Sequence, residues 1–402
     1  MNTALGLRIL SEIMGWDLDE AREEFRWLTF MSTYKYDGYR DYLAGVRFIE
    51  SLATWLQQFL DKEERNTAYQ FVKHRLIYFS PAEIQRLVEK FFPEVVQEHL
   101  VEQVSASLAI PAYKIWSSKT SIDEYRLERR KTLFMGLSDG ARIDTLRRMN
   151  VGAISNEQIV IATQIDPHKW ESLVDDLQAD LQQMCGASAA DEYFSRVYLI
   201  DDFTASGTSL LPDPKNTEGK LKGKLVKFAN SLKKAAEELK GKQIFKDNFE
   251  IVVHHYIATE NAVHNIAKVY DGVVKELSAK GLANIRFSYG MILQDSLGVS
   301  DAPDDAFAAL CKKYYDPVLE GKSGKHGSQG GVKDRTFGYA NCGTTVVLEH
   351  NTPNNSVPLL WAETRDKEGG LIMRPLFRRR ERHSDMEQDY SRRNGGGDGE
   401  SI

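Results

Sequence analysis

Apolar side chains recur early in the chain at Leu43, Val46, Ile49, Leu52, Leu56, Phe59 and Leu60. Spacings of three and four place them on one helical face. No proline precedes Pro81, so the first eighty residues predict a helical layer. At Ser80-Pro81-Ala82-Glu83 a hydroxyl is followed by proline and then by a carboxylate three residues on, a pattern that satisfies the free amides of a helix start. A helix is expected from there through VEKFFPEVVQEHL, with a break near Pro93.

Beyond about residue 120 the rhythm changes to short β-rich runs, each followed by a loop and a helical stretch. The expected strands are Lys131 to Gly136, Gln158 to Thr163, Arg196 to Ile200, Phe249 to Ile257, Ile285 to Leu293 and Thr344 to Leu348. Such alternation predicts an α/β fold with a mostly parallel central sheet. The expected organisation is a helical N-terminal domain (1–120), an α/β domain (121–376) and a basic, then disordered, tail (377–402). Two breaker-rich insertions, LPDPKNTEGKLKG after Leu210 and EGKSGKHGSQGGVKD from Glu320, read as mobile surface loops.

The 402 residues carry 52 Lys and Arg against 58 Asp and Glu, a net charge of −6. That balance argues against a nucleic-acid coat protein and leaves room for a local basic patch such as Phe377-Arg378-Arg379-Arg380-Glu381-Arg382-His383. Three scattered cysteines, with no C-x-x-C pair, support neither a disulfide framework nor a cysteine zinc site. Without a signal-like N-terminus or a long apolar run, the expectation is a cytoplasmic protein with no membrane partner.

The chemistry concentrates in Val197-Tyr198-Leu199-Ile200-Asp201-Asp202-Phe203-Thr204-Ala205-Ser206-Gly207-Thr208-Ser209. Ligands of open α/β sheets bind beyond the carboxyl ends of the strands, so Asp201 and Asp202 are placed to meet substrate hydroxyls or a Mg²⁺ ion. In the next turn, small residues around Gly207 let backbone amides converge on one anion, while Thr204, Ser206, Thr208 and Ser209 add hydroxyls and Ala205 leaves space. An earlier apolar strand ends likewise in Leu137-Ser138-Asp139-Gly140-Ala141-Arg142. His254 and His255 are neighbours on a strand, so they face opposite sides and cannot chelate one ion together.

This arrangement resembles the phosphoribosyl-pyrophosphate (PRPP) signature of type I phosphoribosyltransferases. The resemblance implies that family's kind of sheet, ribose hydroxyls and indirectly held Mg²⁺ at Asp201 and Asp202, and the 5′-phosphate on Thr204 to Ser209. It also implies pyrophosphate on Leu137, Ser138, Asp139, Gly140 and Arg142, and a closing loop at Asp166 to Ala190 or Glu320 to Asp334, with His168 or Lys169 near the leaving group. One departure is plain: Pro212 and Pro214 stop the long helix that usually follows the phosphate loop. Asn351, Thr352, Asn354 and Asn355 either line an acceptor pocket or form an Asn-Pro-Asn turn beside an edge strand.

Together with HNTPNNSVPLLW and the helical N-terminus, these loops look like the phosphoribosyltransferase-like effectors of bacterial antiphage, retron-type systems. That likeness implies a toxic or signalling effector restrained by a partner complex, with a reverse transcriptase and its DNA product as candidate components and a homo-oligomer as a candidate assembly. Three functions compete. They are an enzyme acting at ribose C1 by transfer or hydrolysis, a catalytically silent nucleotide sensor, and a scaffold whose basic tail contacts nucleic acid.

Overall fold

The computed structural model describes residues 3–161, 165–185, 193–239, 242–321, 329–366, 368 and 370–379. The chain opens with helices α1 (Thr3–Met14), α2 (Leu18–Tyr34), α3 (Phe48–Leu56) and α4 (Lys62–His74). Only part of the expected apolar face is helical. Ile49, Leu52 and Leu56 are buried in α3, while Leu43 and Leu60 lie outside it and are exposed. A short strand, β1 (Ile77–Phe79), interrupts the helical layer.

Helix α5 (Pro81–Phe91) starts as its sequence predicts. The Glu83 amide donates to Ser80 Oγ at 3.3 Å, the Ser80 amide donates back to Glu83 Oε2 at 2.8 Å, and Pro81 needs no donor. The expected break at Pro93 is a π-helical turn, Phe92–Gln97, leading into α6 (Glu98–Leu108). Proline removes one intrahelical donor, and the wider turn accommodates the loss.

The α/β region follows as α7 (Lys119–Arg130), β2 (Thr132–Gly136), α8 (Ile143–Met149), β3 (Ile159–Ile161), α9 (Pro167–Cys185), β4 (Phe194–Thr204), α10 (Lys224–Glu238), β5 (Phe245–Thr259), α11 (Glu260–Ala279) and β6 (Asn284–Leu293). Five of these strands make one parallel sheet in the order β3-β2-β4-β5-β6. Side chains alternate across it. Val197 and Leu199 join a core with Trp170, Leu177, Phe228 and Leu277, whereas Tyr198 and Ile200 join Leu87, Phe91, Val104 and Leu146 on the other face.

The remaining elements are α12 (Ala306–Lys313), α13 (Val318–Gly321), β7 (Val346–Leu348), α14 (Pro358–Trp361) and the small hairpin of β8 (Thr364–Arg365) and β9 (Leu371–Met373). The expected strand at Thr344 to Leu348 is therefore shorter, and it lies outside the main sheet. It pairs in parallel with β1, Tyr78 opposite Val347. Packing ignores chain order here: Leu28, Trp55 and Phe71 share a core with Phe307, Leu360 and Phe377.

Two loop expectations change. Asp166 to Cys185 is no closing loop, because it forms the start and body of α9, with Trp170, Leu173, Val174, Leu177 and Leu181 buried against the sheet; residues 186–190 lie outside the described residues. The insertion after Leu210 is folded, with Leu211 and Thr217 buried and a 3₁₀ turn at Pro214–Thr217. The basic segment from Arg380 and the tail beyond it also lie outside the described residues, as does 322–328 of the glycine-rich insertion.

Candidate functional site

The carboxyl ends of β2 and β4 lie side by side, and the loops leaving them interlock. Gly136 pairs with Ile200 across the ladder, and the Leu137 amide donates to the Ile200 carbonyl at 2.8 Å. Ser138 Oγ then donates to Asp201, while Asp139 stands exposed at the start of a 3₁₀ turn, Asp139–Ala141. Gly140 is needed at its position because a Cβ there would sit 2.2 Å from Asp202 Oδ2. Arg142 adopts a left-handed backbone (φ 52°) that opens α8 and points its guanidinium toward β7.

Asp201 and Asp202 face opposite sides of the sheet, as neighbours on a strand must. Asp201 is 2% exposed and forms an ion pair with Lys224 at the first position of α10. Asp202 keeps 19% of its side chain exposed and accepts from His350 Nε2 at 2.9 Å. Burial pushes the Asp202 carboxyl up, but His350, the charge of Lys224 and the Phe203 amide outweigh it and hold it at about 2.

His350 sits in a line of charge. Its Nδ1 lies 2.6 Å from an Arg142 guanidinium nitrogen and 3.6 Å from Glu349 Oε1. Glu349 is buried, pairs with Arg142, and meets Arg40 Nε at 2.8 Å. Burial lowers the His350 pKa, yet its bonds to Asp202 and Glu349 reverse the sign and raise it above the ordinary value. Burial likewise raises the Glu349 carboxyl, and His350, Arg142 and Arg40 bring it below the ordinary value.

The loop after β4 turns tightly. The Gly207 amide donates to Thr204 Oγ1 at 3.2 Å, and Gly207 (φ +76°) leaves no room for a Cβ beside Ile266. Thr204, Ala205, Ser206 and Gly207 are buried, while Ser209 is exposed. Ser206 Oγ and Thr208 Oγ1 lie 3.0 Å apart, and the Thr208 hydroxyl reaches Tyr339 Oη at 3.4 Å. The Ala205 carbonyl accepts from Thr259 Oγ1 at 2.9 Å and from Cys342 Sγ at 3.5 Å. As Pro212 and Pro214 predict, no α-helix follows directly; the next starts at Lys224, whose amide donates to the Ser209 carbonyl.

The asparagine-rich turn after β7 does two jobs. Thr352 is fully buried, its hydroxyl within 3.0 Å of Tyr39 Oη and donating to the Phe377 carbonyl, so it ties the connection between α2 and α3 to the backbone after β9. The Asn354 carbonyl accepts from the Tyr339 amide, and Asn355 Nδ2 donates to the Tyr339 carbonyl at 3.1 Å, bracing the segment whose Tyr339 hydroxyl meets Thr208 in the loop after β4. Asn351 Oδ1, next to His350, is buried and has no hydrogen-bond partner among the described residues. Sequence reasoning missed Lys224, His350, Glu349 and Arg40.

His168 and Lys169 occupy the first turn of α9, where the Lys169 amide donates to Asp166 Oδ1; among the described residues neither side chain bonds to the two loops. His254 and His255 are both buried core residues: His254 reaches Ser288 Oγ at 3.0 Å, and His255 stacks on Tyr289. Among the described residues no group of three or more His, Cys, Asp or Glu is placed to hold a metal ion, and no helix is long and apolar enough to cross a membrane.

Neither a curated protein nor a solved structure matches the chain. A family model, PRTase-CE, matches residues 52–379, spanning both interlocked loops, Lys224 and the Glu349–His350 pair. With that match over most of its length, and a parallel sheet carrying the acidic and glycine loops at its carboxyl end, the chain belongs to the phosphoribosyltransferase-like PRTase-CE family.

Proposed function

We propose that the chain binds PRPP or a related nucleotide and acts at ribose C1, as an effector of retron-type antiphage defence. The observation that carries the reading is the convergence of Ser138 and Gly140 on Asp201 and Asp202. A ribose lying over that junction has its 5′-phosphate on Thr204 to Ser209 and its pyrophosphate on Leu137 to Arg142. Asp202, held ionised at about 2, stabilises the positive charge that develops on the ring as the C1–O bond breaks and pyrophosphate departs. His350, bonded to Asp202 at 2.9 Å, orients that carboxylate and holds it ionised.

The described residues fit Mg²⁺ only indirectly. Such an ion is commonly held by one or two carboxylates plus substrate phosphates, and Asp202 is the more open carboxylate. Mg²⁺ would neutralise the departing pyrophosphate.

Titration calorimetry with PRPP and Mg²⁺ tests the site, with the Asp201→Asn, Asp202→Asn double variant beside the wild type. Binding by the wild type, lost in a variant that still melts cooperatively, supports the reading. Equal binding by both overturns it. One observation favours a sensor instead of an enzyme: Arg142, Asp201 and Thr208 are already engaged by Glu349, Lys224 and Tyr339. Binding without release of pyrophosphate across a panel of bases would select that alternative.

A further inference from the structure

The loop after β4 offers hydroxyls and amides to an anion but no cation of its own. Thr204 to Ser209 holds no Lys or Arg. Pro212 and Pro214 postpone the next α-helix to Lys224, whose ammonium pairs with Asp201. A phosphate there would lack the charge-assisted bonds that make such sites strong. The missing charge comes from far along the chain. Tyr339 Oη lies 3.4 Å from Thr208 Oγ1, at the long end of hydrogen-bond distances, so an anion's oxygen can take the phenol's proton while Thr208 turns its own toward the same anion. The Arg335 guanidinium lies 5.6 Å from the centre of the Tyr339 ring, and both residues are half-buried. Among the described residues Arg335 forms no ion pair. Its charge reaches the phenol: burial raises the Tyr339 pKa, while the Thr208 bond and then Arg335 pull it down.

The backbone fixes this pair in an uncommon shape. Ala340 and Asn341 have φ of 56° and 53°, the left-handed region that side chains with a Cβ mostly avoid. Strain of this kind persists where the surroundings over-determine it. Here the Tyr339 amide donates to the Asn354 carbonyl at 2.7 Å, Asn355 Nδ2 to the Tyr339 carbonyl at 3.1 Å, and the Asn341 amide to the Gly338 carbonyl at 3.1 Å. Cys342 Sγ adds its contact with the Ala205 carbonyl at 3.5 Å, inside the loop itself. We propose that Tyr339 and Arg335 complete the anion site of the loop after β4, the phenol donating to a bound phosphomonoester and the guanidinium supplying its counter-charge. The ligand class is a sugar phosphate with a doubly charged terminal phosphate. The proposal rests on the reading that seats a 5′-phosphate on Thr204 to Ser209, and adds two residues to it. The contact of Tyr339 with Thr208 is then part of the site.

Titration calorimetry with ribose 5-phosphate, and with PRPP beside it, tests this on the full chain and on Arg335→Gln, Arg335→Lys and Tyr339→Phe, each checked for cooperative melting. Arg335→Gln removes a charge-assisted bond and should raise the ribose 5-phosphate dissociation constant about tenfold or more. Tyr339→Phe keeps the ring and removes a neutral donor, for a rise of about fivefold. Arg335→Lys keeps the charge and should recover most of the affinity, a rescue that a purely structural role for Arg335 would not give. Equal binding of ribose 5-phosphate by the wild type and Arg335→Gln overturns the proposal and leaves the ligand reading standing, as does an Arg335→Lys variant that binds no better than Arg335→Gln. A wild type that binds neither ribose 5-phosphate nor PRPP removes the reading and the proposal together. Should Arg335→Gln fail to melt cooperatively, Tyr339→Phe decides, an unchanged dissociation constant overturning the proposal.

Discussion

Asp201 and Asp202 are the same residue type on consecutive positions of one strand, and the fold uses them differently. Asp201 continues the face of Val197 and Leu199, is almost fully buried, and is tied to Lys224 and Ser138. Asp202 continues the face of Tyr198 and Ile200, keeps some exposure, and meets a histidine. A pleat of period two is enough to make one carboxylate an anchor for the interlocked loops and to leave the other open to a ligand. Substitutions should therefore move stability at the first and chemistry at the second.

The largest effect is expected at Asp202. With pyrophosphate release from PRPP as the readout, Asp202→Asn should lower kcat by about a hundredfold or more, the scale of losing a preorganised charge at a reacting centre, in a protein that still unfolds cooperatively. Asp201→Asn should do the reverse. It leaves Lys224 unpaired beside a buried amide, so unfolding free energy should fall by about 2 kcal/mol, below the fully buried case because Lys224 keeps 26% of its side chain exposed. A stable Asp201→Asn protein with no turnover would erase the distinction between the two.

Gly140→Ala sharpens it at smaller scale. The new Cβ would press on the Asp202 carboxylate at 2.2 Å and force it off His350. Ligand affinity should drop about tenfold, a displacement worth about 1.4 kcal/mol. The Asp201–Lys224 pair lies on the other face and stays intact, so the melting temperature should fall less than in Asp201→Asn. A large melting shift with intact affinity would mean that Gly140 serves the backbone and leaves Asp202 in place.

Local signals carried much of this architecture. Ser80-Pro81-Ala82-Glu83 caps a helix, the DDFTASGTS run ends a strand, and Pro212 with Pro214 delays the next helix to Lys224. Helix α9 was legible too, because Trp170, Leu173, Val174, Leu177 and Leu181 recur at i, i+3, i+4, i+7 and i+11; the closing loop that the resemblance implies fell on the same residues. What local reading could not reach is long-range. His350 is 148 positions from Asp202, and Arg40 is more than 300 from Glu349. Nothing in a short window says that β7 pairs with β1 and so brings Glu349 and His350 to the sheet's end. Charged pairs across such separations carry no periodicity to betray them.

The smallest expected effect separates the histidines by pH. His350 has its folded pKa raised above 6.5, so the native state holds its proton more tightly than the unfolded chain does. Its contribution to stability is full below about pH 6.5 and disappears as pH rises through the folded value. His254 and His255 run the opposite way. Burial depresses both, His254 to about 3 with the charge of His255 adding to it, and His255 to about 4 with Lys224 adding to it against Asp201 and Asp202. What they contribute is intact above pH 6.5 and is lost as pH falls from there toward 4 and then 3. Urea midpoints from pH 4 to pH 9 should thus decline on both sides of a maximum. His350→Gln should flatten the alkaline decline and leave the acidic one, since Gln still donates to Asp202 but cannot titrate. If His350→Gln flattened the acidic decline instead, the ring would be neutral in the native state, and the charge that holds Asp202 ionised would have to come from elsewhere.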